Sequence, residues 1–424
     1  MQFHKLWQRV LGVERSVVEE VVFDEDEELV VASVRPRKGA KNRCGICERR
    51  CPGYDQGEGR RRWRCLDLGW VRTYLEADSP RVCCPEHGVV VASVPWARHG
   101  AGHTYGFDDQ VAWLATHSSK SAVCQLMRVT WRTVGSIVTR VVADAGELGD
   151  PLDNLRRIGI DEISYKKGHK YLVVVVDHDT GALVWARAGR DSETVQTFFD
   201  ELGPQRCAKI TLISADAAEW IASAAERSCP NAVRCMDPFH VVAWATKALD
   251  EVRRQMWNAA RRSGAKDMAV DLKGARFALW KNPEHLTQRQ AKRLAWIATL
   301  NEPLYRAYLL KEQLRRVFAL RGAGGIALLR EWLGWASRSK LDPFVKLARD
   351  LRRHLPAIEA ALTHGLSNAR VESVNTKIRL LQRVGFGYRD PEALIAMARL
   401  SLGGICPGLP GRGLRAARPA ATFC

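Results

Sequence analysis

The sequence predicts an α/β core of the ribonuclease H-like type, preceded by a zinc-ribbon-like segment and a helix–turn–helix and interrupted by an all-helical insertion. From Arg157 onward, apolar runs and helical patterns follow in the order strand, strand, strand, helix, strand, helix, strand. Three antiparallel strands followed by right-handed parallel crossovers give that arrangement. The second run, KYLVVVVDHD, is continuously apolar, which is typical of a strand covered on both faces.

These patterns divide the chain into six predicted segments. The predicted bounds are 1–100 for an N-terminal β segment with the zinc ribbon, 101–150 for the helix–turn–helix, 151–240 for the first part of the core, 241–361 for the helical insertion, 362–404 for the C-terminal part of the core, and 405–424 for a disordered basic tail. The tail is rich in Pro, Gly and Arg, a composition that cannot bury enough apolar surface to fold.

The overall charge indicates a polyanionic partner. The 424 residues include 65 Lys and Arg against 47 Asp and Glu, a net charge of +18. Such a balance favours binding to nucleic acid or to an anionic membrane surface. The chain has no apolar run near the ~18 residues of a membrane-spanning helix, and its N-terminus lacks the apolar stretch of a secretory signal. We therefore expect a cytoplasmic protein.

Two short cysteine motifs predict a zinc site. Cys44-x-x-Cys47 and Cys84-x-x-His87 are joined by β-like sequence, and two such turns supply the four ligands of a tetrahedral structural zinc. In a reducing compartment a local cysteine cluster favours metal over disulfides. Cys83 is an alternative to Cys84 as the third ligand.

Residues 107–142 predict a helix–turn–helix. Three short stretches have helical periodicity, and a break at Val129-Thr130 separates the last two, with Thr130 as a plausible N-cap. The third helix would then present Trp131, Arg132 and Thr133 to DNA. The alternative is a generic helical hairpin.

Two aspartates occupy corresponding positions in the predicted sheet. Asp161 lies at the first strand and Asp216 at the end of the fourth, and these strands are central neighbours in the predicted arrangement. Two carboxylates, with a third from a following helix, suit a pair of magnesium (or manganese) ions about 3.5–4 Å apart. Each acid also has an ordinary alternative, since Asp161 and Glu162 could end a strand and Asp216 could cap the next helix.

The chain resembles the DDE transposases of bacterial insertion sequences, specifically the ISL-three family. The resemblance covers nearly the whole chain, through the zinc motifs, the helix–turn–helix, GIDEISYKKGHKYLVVVVD, ISAD, PNAVRCMDPFHVV and SNARVESVNTKIRLLQRVGFGYRD. It places the catalytic aspartates on Asp161 and Asp216 and the catalytic glutamate on Glu372, and it implies the helical insertion between them.

The resemblance also implies roles around this triad. A signature of related transposases matches Asp237-Pro-Phe-His240, where His240 orders the site or contacts DNA and Asp237 is a rival for the second metal carboxylate. Ser373 stands where the family usually has glycine after its glutamate. We expect Lys166, Lys167, Arg370 and Lys377 to lie near DNA phosphates.

The function implied is transposition. The protein would bind the terminal inverted repeats, hydrolyse a phosphodiester and join the freed 3′-hydroxyl to target DNA, as a homodimer or larger assembly on DNA. It would carry two magnesium ions and one structural zinc. The alternatives are a non-catalytic zinc-ribbon and helix–turn–helix regulator, and a ribonuclease H-like nuclease.

Overall fold

The computed structural model describes residues 3–13 and 15–412. The chain forms two compact units: the first runs to Leu148 and includes the segment from Gly404, and the second is Gly149–Gly403. None of the described helices is both long and apolar enough to cross a membrane. Of the predicted disordered tail, residues 413–424 lie outside the described residues. Cys406 Sγ lies 3.6 Å from Thr116 Oγ1, so the tail prediction is corrected for the stretch 405–412, which contacts a helix.

The first unit combines short strands with three consecutive helices. Its elements are α1 (Phe3–Val10), β1 (Ser16–Asp24), β2 (Leu29–Pro36), β3 (Gly53–Asp55), β4 (Arg60–Arg64), β5 (Arg72–Asp78), β6 (Arg81–Cys84), β7 (Gly88–Val91), α2 (Tyr105–His117), α3 (Lys120–Met127) and α4 (Trp131–Leu148). One sheet has the order β1-β2-β5-β4 and the other β3-β6-β7. Thr130 caps α4 as predicted, because its Oγ1 accepts from the backbone N–H of Thr133 at 3.2 Å.

The second unit begins with strands and ends with helices. Its elements are β8 (Arg157–Lys166), β9 (Lys170–Asp177), β10 (Leu183–Ala188), α5 (Ser192–Leu202), α6 (Pro204–Cys207), β11 (Leu212–Ala215), α7 (Glu219–Ser228), β12 (Val233–Met236), α8 (Pro238–Arg262), α9 (Lys266–Gly274), α10 (Arg276–Trp280), α11 (Gln288–Leu300), α12 (Glu302–Leu320), α13 (Gly322–Ser337), α14 (Asp342–Arg353), α15 (Leu355–His364), α16 (Ala369–Val384) and α17 (Pro391–Leu402).

The sheet of the second unit has the order β10-β9-β8-β11-β12. The first three strands pair antiparallel, whereas β11 pairs parallel with both β8 and β12. The apolar run of β9 is an interior strand buried on both faces, as predicted. Val173 and Val175 pack toward α5, while Leu172, Val174 and Val176 pack toward α16 and α17.

Strand β8 is longer than the stretch RIGID, residues 157–161, that the sequence predicts for it. It continues to Lys166 because it pairs with β9 over its whole length, so Asp161 lies within the strand, opposite Val174, and not at its end. Strand β11 covers only Arg157–Gly159 on the other side. From Ile160 onward this edge of β8 is open to the rest of the unit, and the acidic residues lie along that open part.

The helices α8 to α15 form the predicted helical insertion with a core of its own. Its buried side chains include Leu249, Leu310, Trp332, Phe344 and Ile358. The insertion leaves the sheet directly after β12 and returns through α15, which packs against β12. The chain therefore re-enters the sheet region at α16, close to the carboxyl ends of β11 and β12.

Candidate active site and metal-binding cluster

Asp161 on β8 and Asp216 directly after β11 lie near the junction of these two strands. Asp161 is half-buried, and its Oδ1 accepts from the backbone N–H of Glu162 at 2.9 Å. Asp216 directly follows β11, and its Oδ1 accepts from the backbone N–H of Ala218 at 2.8 Å. The predicted capping alternative is wrong, because α7 begins after Ala218 without a side-chain cap, and Asp216 bonds instead to the turn before the helix. The two acids are near enough for their charges to interact.

The electrostatics of the site favour a bound cation. Burial raises the pKa of Asp161 to about 6, and the negative charge of Asp216 adds to this rise. Burial also raises the pKa of Glu372, and the charge of Asp237 acts in the same direction. Carboxylates held together in a partly dry environment resist ionisation, and a divalent cation relieves that cost.

Helix α16 carries Glu372, whose carboxylate lies near enough to Asp237 and His240 for their charges to interact, and the same helix contacts Asp161 directly. Asn375 lies one turn after Glu372, and its Nδ2 donates to Asp161 Oδ2 at 2.8 Å. Asn375 is 2% exposed. Both oxygens of Asp161 thus accept a hydrogen bond, which fixes the orientation of the carboxylate. Ser373 is exposed, so its side chain does not press against the sheet.

Asn368 joins α16 to three parts of the sheet region. Its Oδ1 accepts from Ser214 Oγ on β11, and its Nδ2 donates to the backbone oxygen of Ile160 on β8 at 3.5 Å. Its backbone N–H donates to Asp237 Oδ1 at 3.2 Å. The carbonyl of Ile160 lies where β11 no longer covers β8, so the asparagine occupies a position that a strand would otherwise fill.

A buried histidine, His178, extends the hydrogen bonds between Ser214 and Asn368, and we call these three residues the polar bridge. His178 follows β9, is 4% exposed, and its Nε2 lies 2.6 Å from Ser214 Oγ. Burial lowers the pKa of His178 to about 4, and the positive charge of Arg370 adds to this effect. The imidazole is therefore neutral near pH 7. Arg370, predicted to face DNA, donates from its guanidinium to the backbone oxygens of His178 and Asp179.

A glycine allows α16 to approach β8 closely. A Cβ atom on Gly159 would lie 2.3 Å from Val371 Cγ2 and 2.7 Å from His178 Nε2. Val371 itself is fully buried. Only a residue without a side chain permits this packing, so Gly159 sets the distance between the helix of Glu372 and the strand of Asp161.

His240 lies beside the carboxylates on the first turn of α8. Its Nδ1 is 3.3 Å from Oδ2 of Asp237, which is 2% exposed. The interaction with Asp237 raises the pKa of His240, and the charges of Asp216 and Asp161 contribute further. An imidazole whose pKa is raised in this way carries positive charge more readily than an isolated histidine at the edge of the site.

The remaining predicted DNA contacts lie on the surface. Lys166 and Lys167 are exposed at the β8–β9 turn, and Lys377 is exposed on α16. In the first unit, Trp131 and Arg132 are exposed at the start of α4, whereas Thr133 is half-buried. The amine of Lys120 lies 4.9 Å from the ring centroid of Trp131.

The four predicted zinc ligands come together in the first unit. The ligand atoms of Cys44, Cys47, Cys84 and His87 all lie within 4.8 Å of one another. Cys47 Sγ and Cys84 Sγ are 3.8 Å apart, and His87 Nδ1 is 3.7 Å from Cys44 Sγ and 3.6 Å from Cys84 Sγ. A tetrahedral zinc with Zn–S bonds of ~2.3 Å separates its sulfurs by about 3.8 Å, so the group fits that ion.

Burial distinguishes Cys84 from Cys83, the alternative third zinc ligand. Strand β6 buries every second residue, so Cys84 points into the cluster while Cys83 is exposed. Burial by itself would raise the pKa of Cys84, but hydrogen bonds from the backbone N–H groups of His87 and Glu86 and from the side chains of His87 and Cys44 together lower it to about 6. A thiolate available near neutral pH is the form that binds metal.

Comparisons with known proteins agree with this architecture. Residues 158–398 match a family model described as a transposase of the ISL3 DDE type. Residues 92–142 match the helix–turn–helix domain of transposase family ISL3, and residues 40–87 match the zinc finger of the IS204/IS1001/IS1096/IS1165 transposases. The chain belongs to the ISL3 family of transposases.

Curated relatives of this transposase carry the same description. It is 55% identical to the transposase for insertion sequence element IS1557 from two Mycobacterium tuberculosis strains, CDC 1551 / Oshkosh and ATCC 25618 / H37Rv, over 96% of this chain and 97% of each relative. It is 27% identical to the transposase for IS1001 of Bordetella parapertussis, over 94% of this chain and 98% of the relative. The match along the whole length indicates that the transposase shares the order of its domains with these proteins.

Sequence reasoning missed the groups that hold α16 in place. Ser214, His178, Asn368 and Asn375 belong to no predicted site. Two signals were available: Ser214 is a polar residue inside an apolar strand, and Gly159 lies within a strand, where glycine often marks a close approach.

Proposed function

We propose that this transposase cuts and joins DNA at the ends of its insertion sequence with Asp161, Asp216 and Glu372 as the metal-binding carboxylates. The observation that carries the proposal is the contact between Asp161 and Asn375 of α16, the helix that also carries Glu372. The fold of the second unit supports it, since three antiparallel strands continue into the parallel strands β11 and β12, as a ribonuclease H-like core would require.

The three carboxylates do not form a compact single-ion cluster. Among the described residues, the one group of His, Cys, Asp or Glu with all ligand atoms within 4.8 Å is the zinc cluster, so the three carboxylates are spread more widely. Asp161, Asp216 and Glu372 would hold a pair of magnesium ions between them, since such ions take carboxylate oxygens as ligands. When bound, magnesium or manganese would activate the attacking hydroxyl and stabilise the leaving oxygen.

The chain's own residues would orient the reaction. Asn375 and the backbone N–H of Glu162 hold the Asp161 carboxylate in one orientation. His240, held near Asp237, offers positive charge to a DNA phosphate beside the carboxylates. Lys166, Lys167 and Lys377 would contact phosphates further along the DNA, because exposed basic side chains attract the backbone without reading sequence.

The first unit would recognise the terminal inverted repeats. Helix α4 presents Trp131 and Arg132 at its start, the part of a recognition helix that meets base edges in the major groove. Zinc bound by the cluster of Cys44, Cys47, Cys84 and His87 would stabilise the sheets next to it. Since two ends must be cut together, we propose that the protein acts as a homodimer or larger assembly on DNA.

The test uses the full-length protein, a duplex with the inverted repeat of the element, a target plasmid and magnesium. We expect Asp161→Asn, Asp216→Asn and Glu372→Gln each to bind the duplex normally and to lose cleavage and joining by about 10³-fold or more. Glu226→Gln, an exposed glutamate on α7, serves as the matched control. Normal cleavage by any of the three variants would refute the assignment, and cuts without joined products would indicate a nuclease.

A further inference from the structure

The tight turn between β4 and β5 presents an exposed tryptophan next to the helix–turn–helix. Leu68 and Val71 pair through two backbone hydrogen bonds of 3.0 and 3.1 Å, which leaves Gly69 and Trp70 as a two-residue loop. Gly69 has φ +64°, a conformation that favours glycine in such turns. Trp70 is 87% exposed. A rigid turn thus holds a large apolar ring in solvent.

The exposure of Trp70 alone does not indicate a binding site, because single apolar side chains on a protein surface are common. What distinguishes Trp70 is its connection to the turn of the helix–turn–helix. Arg128 ends α3 in the left-handed conformation, and its guanidinium donates to the backbone oxygen of Trp70 at 2.8 Å. The same guanidinium pairs with Asp67, three residues before Trp70.

The connection continues into the interior of the first unit. Asp67 also pairs with Arg64 at 2.6 Å, and Arg64 is 7% exposed. The backbone of Arg64 bonds to Gly102 and Thr104, the residues that lead into α2. Two arginines, one on each side of Asp67, therefore fix the tryptophan turn relative to the helix–turn–helix.

The recognition helix begins close to this point. Trp131, the first residue of α4, is three residues after Arg128, a span of at most about 11 Å in an extended chain. When α4 occupies the major groove, the segment before it faces the sugar–phosphate backbone at the edge of that groove. Because the backbone of Trp70 is bonded to Arg128 in that segment, its exposed ring is within reach of the same DNA backbone.

We propose that Trp70 is a second DNA-contacting element, which packs its indole against the deoxyribose of the strand flanking the α4 site and donates its Nε1–H to a phosphate. This inference rests on the proposed recognition of DNA by α4. Duplex DNA is the occupant because the chain carries a net charge of +18 and because the turn is fixed to a DNA-binding motif. Contacts to sugar and phosphate carry no base specificity, so Trp70 adds affinity on any sequence.

The experiment compares full-length variants on the terminal-repeat duplex and on an unrelated duplex, by electrophoretic mobility shift and hydroxyl-radical footprinting. We expect Trp70→Ala to weaken binding about tenfold on both duplexes and to lose backbone protection at a few nucleotides beside the α4 site. Trp70→Phe keeps the ring and loses the donor, so we expect an intermediate loss. Phe23→Ala, at an exposed aromatic residue of edge strand β1, is the matched control and should bind normally.

The outcomes separate this inference from the proposed function. Arg132→Ala should weaken binding to the terminal repeat more than to the unrelated duplex. If Trp70→Ala binds and protects DNA like the wild type while Arg132→Ala does not, the role of Trp70 is refuted and recognition by α4 stands. If the wild-type protein binds the terminal repeat no more tightly than the unrelated duplex, both the role of Trp70 and recognition by α4 are refuted. A change in oligomeric state in Trp70→Ala with unaltered DNA binding would show that the ring contacts protein instead, which also refutes the inference.

Discussion

The side-chain amide of Asn375 lies 2.8 Å from the carboxylate of Asp161, so the helix that carries Glu372 also holds the first aspartate. Residues 214 positions apart in the chain thus form one contact in the centre of the site. The contact holds a carboxylate that we propose as a metal ligand, and Asn375 itself is not a proposed ligand. Asn375 is accordingly a positioning residue, and its removal should affect metal binding before it affects folding.

We expect Asn375→Ala to weaken metal binding and activity while DNA binding is preserved. The Asp161 carboxylate would lose one of its two donors and rotate more freely, which lowers metal affinity by about 10-fold or more. Mn²⁺ binding followed by electron paramagnetic resonance gives the affinity directly, and cleavage at rising magnesium gives the activation constant. Excess magnesium should restore much of the activity. A lower maximal rate with unchanged metal affinity would argue against positioning.

Replacement of Gly159 by alanine should separate α16 from the sheet. A Cβ atom there meets Val371, His178 and Ser214, and overpacking of this kind costs about 1–3 kcal/mol. Thermal unfolding should show the loss of stability, and cleavage should fall because Glu372 moves. Val371→Ala removes the nearest clashing group, so the double variant should regain part of the loss. Strict additivity of the two changes would show that the clash is not the cause.

The buried histidine predicts a dependence of stability on pH. The pKa of His178 is lowered to about 4 in the folded protein, against ~6.5 in an unfolded chain. The unfolded state therefore binds more protons between these values, so the stabilising contribution is complete above about pH 6.5 and is lost as pH falls toward 4. We expect the melting temperature to fall by on the order of 5 °C across this window.

The control for this effect is His178→Gln, which keeps a polar group near Ser214 but cannot titrate. The difference in melting temperature between the wild type and this variant isolates the histidine, because all other groups titrate in both proteins. A difference that stays constant from pH 7 to pH 4.5 would contradict the assignment.

Loss of zinc should affect the two units unequally. Cys84→Ser would remove one of the proposed zinc ligands, and a strong chelator would remove the ion itself. Binding of the metal would contribute to folding of the small β3-β6-β7 sheet, so we expect lower DNA affinity and early melting of the first unit in both cases. The exposed neighbour provides the control, since Cys83→Ser should keep one zinc per chain in metal analysis. Full zinc content in Cys84→Ser with loss in Cys83→Ser would reverse the assignment of the ligand.

The sequence predicted those parts of the sites that depend on short spacing or on a strand position. The four side chains of the C-x-x-C and C-x-x-H pairs lie in one cluster, as their short spacing predicts. Residues alternate between buried and exposed along β6, and this alternation in a predicted strand distinguishes Cys84 from Cys83. The strand order placed β8 beside β11, and the positions of Asp161 and Asp216 followed from it. Glu372 came only through the family resemblance, because the chain between it and β12 is an independent helical body.

The polar bridge of Ser214, His178 and Asn368 could not be predicted in the same way. Each residue type is usually found on surfaces or at caps, and burial of these three is possible only because they satisfy one another across distant segments. The extent of β8 was also missed. Its pairing with β9 continues beyond the end of β11, and pairing length is a property of two strands together.

The attachment of α16 has a consequence for how the site responds to its ions. One helix supplies Glu372 and restrains Asp161, so undocking of that helix disturbs two of the three carboxylates at once. By thermodynamic linkage, binding of an ion must favour docking of α16 on the sheet by the same factor by which docking of α16 raises the affinity for that ion. The site would then fill and empty cooperatively, and a weakening of any buried contact under α16 would be measured as a higher magnesium requirement.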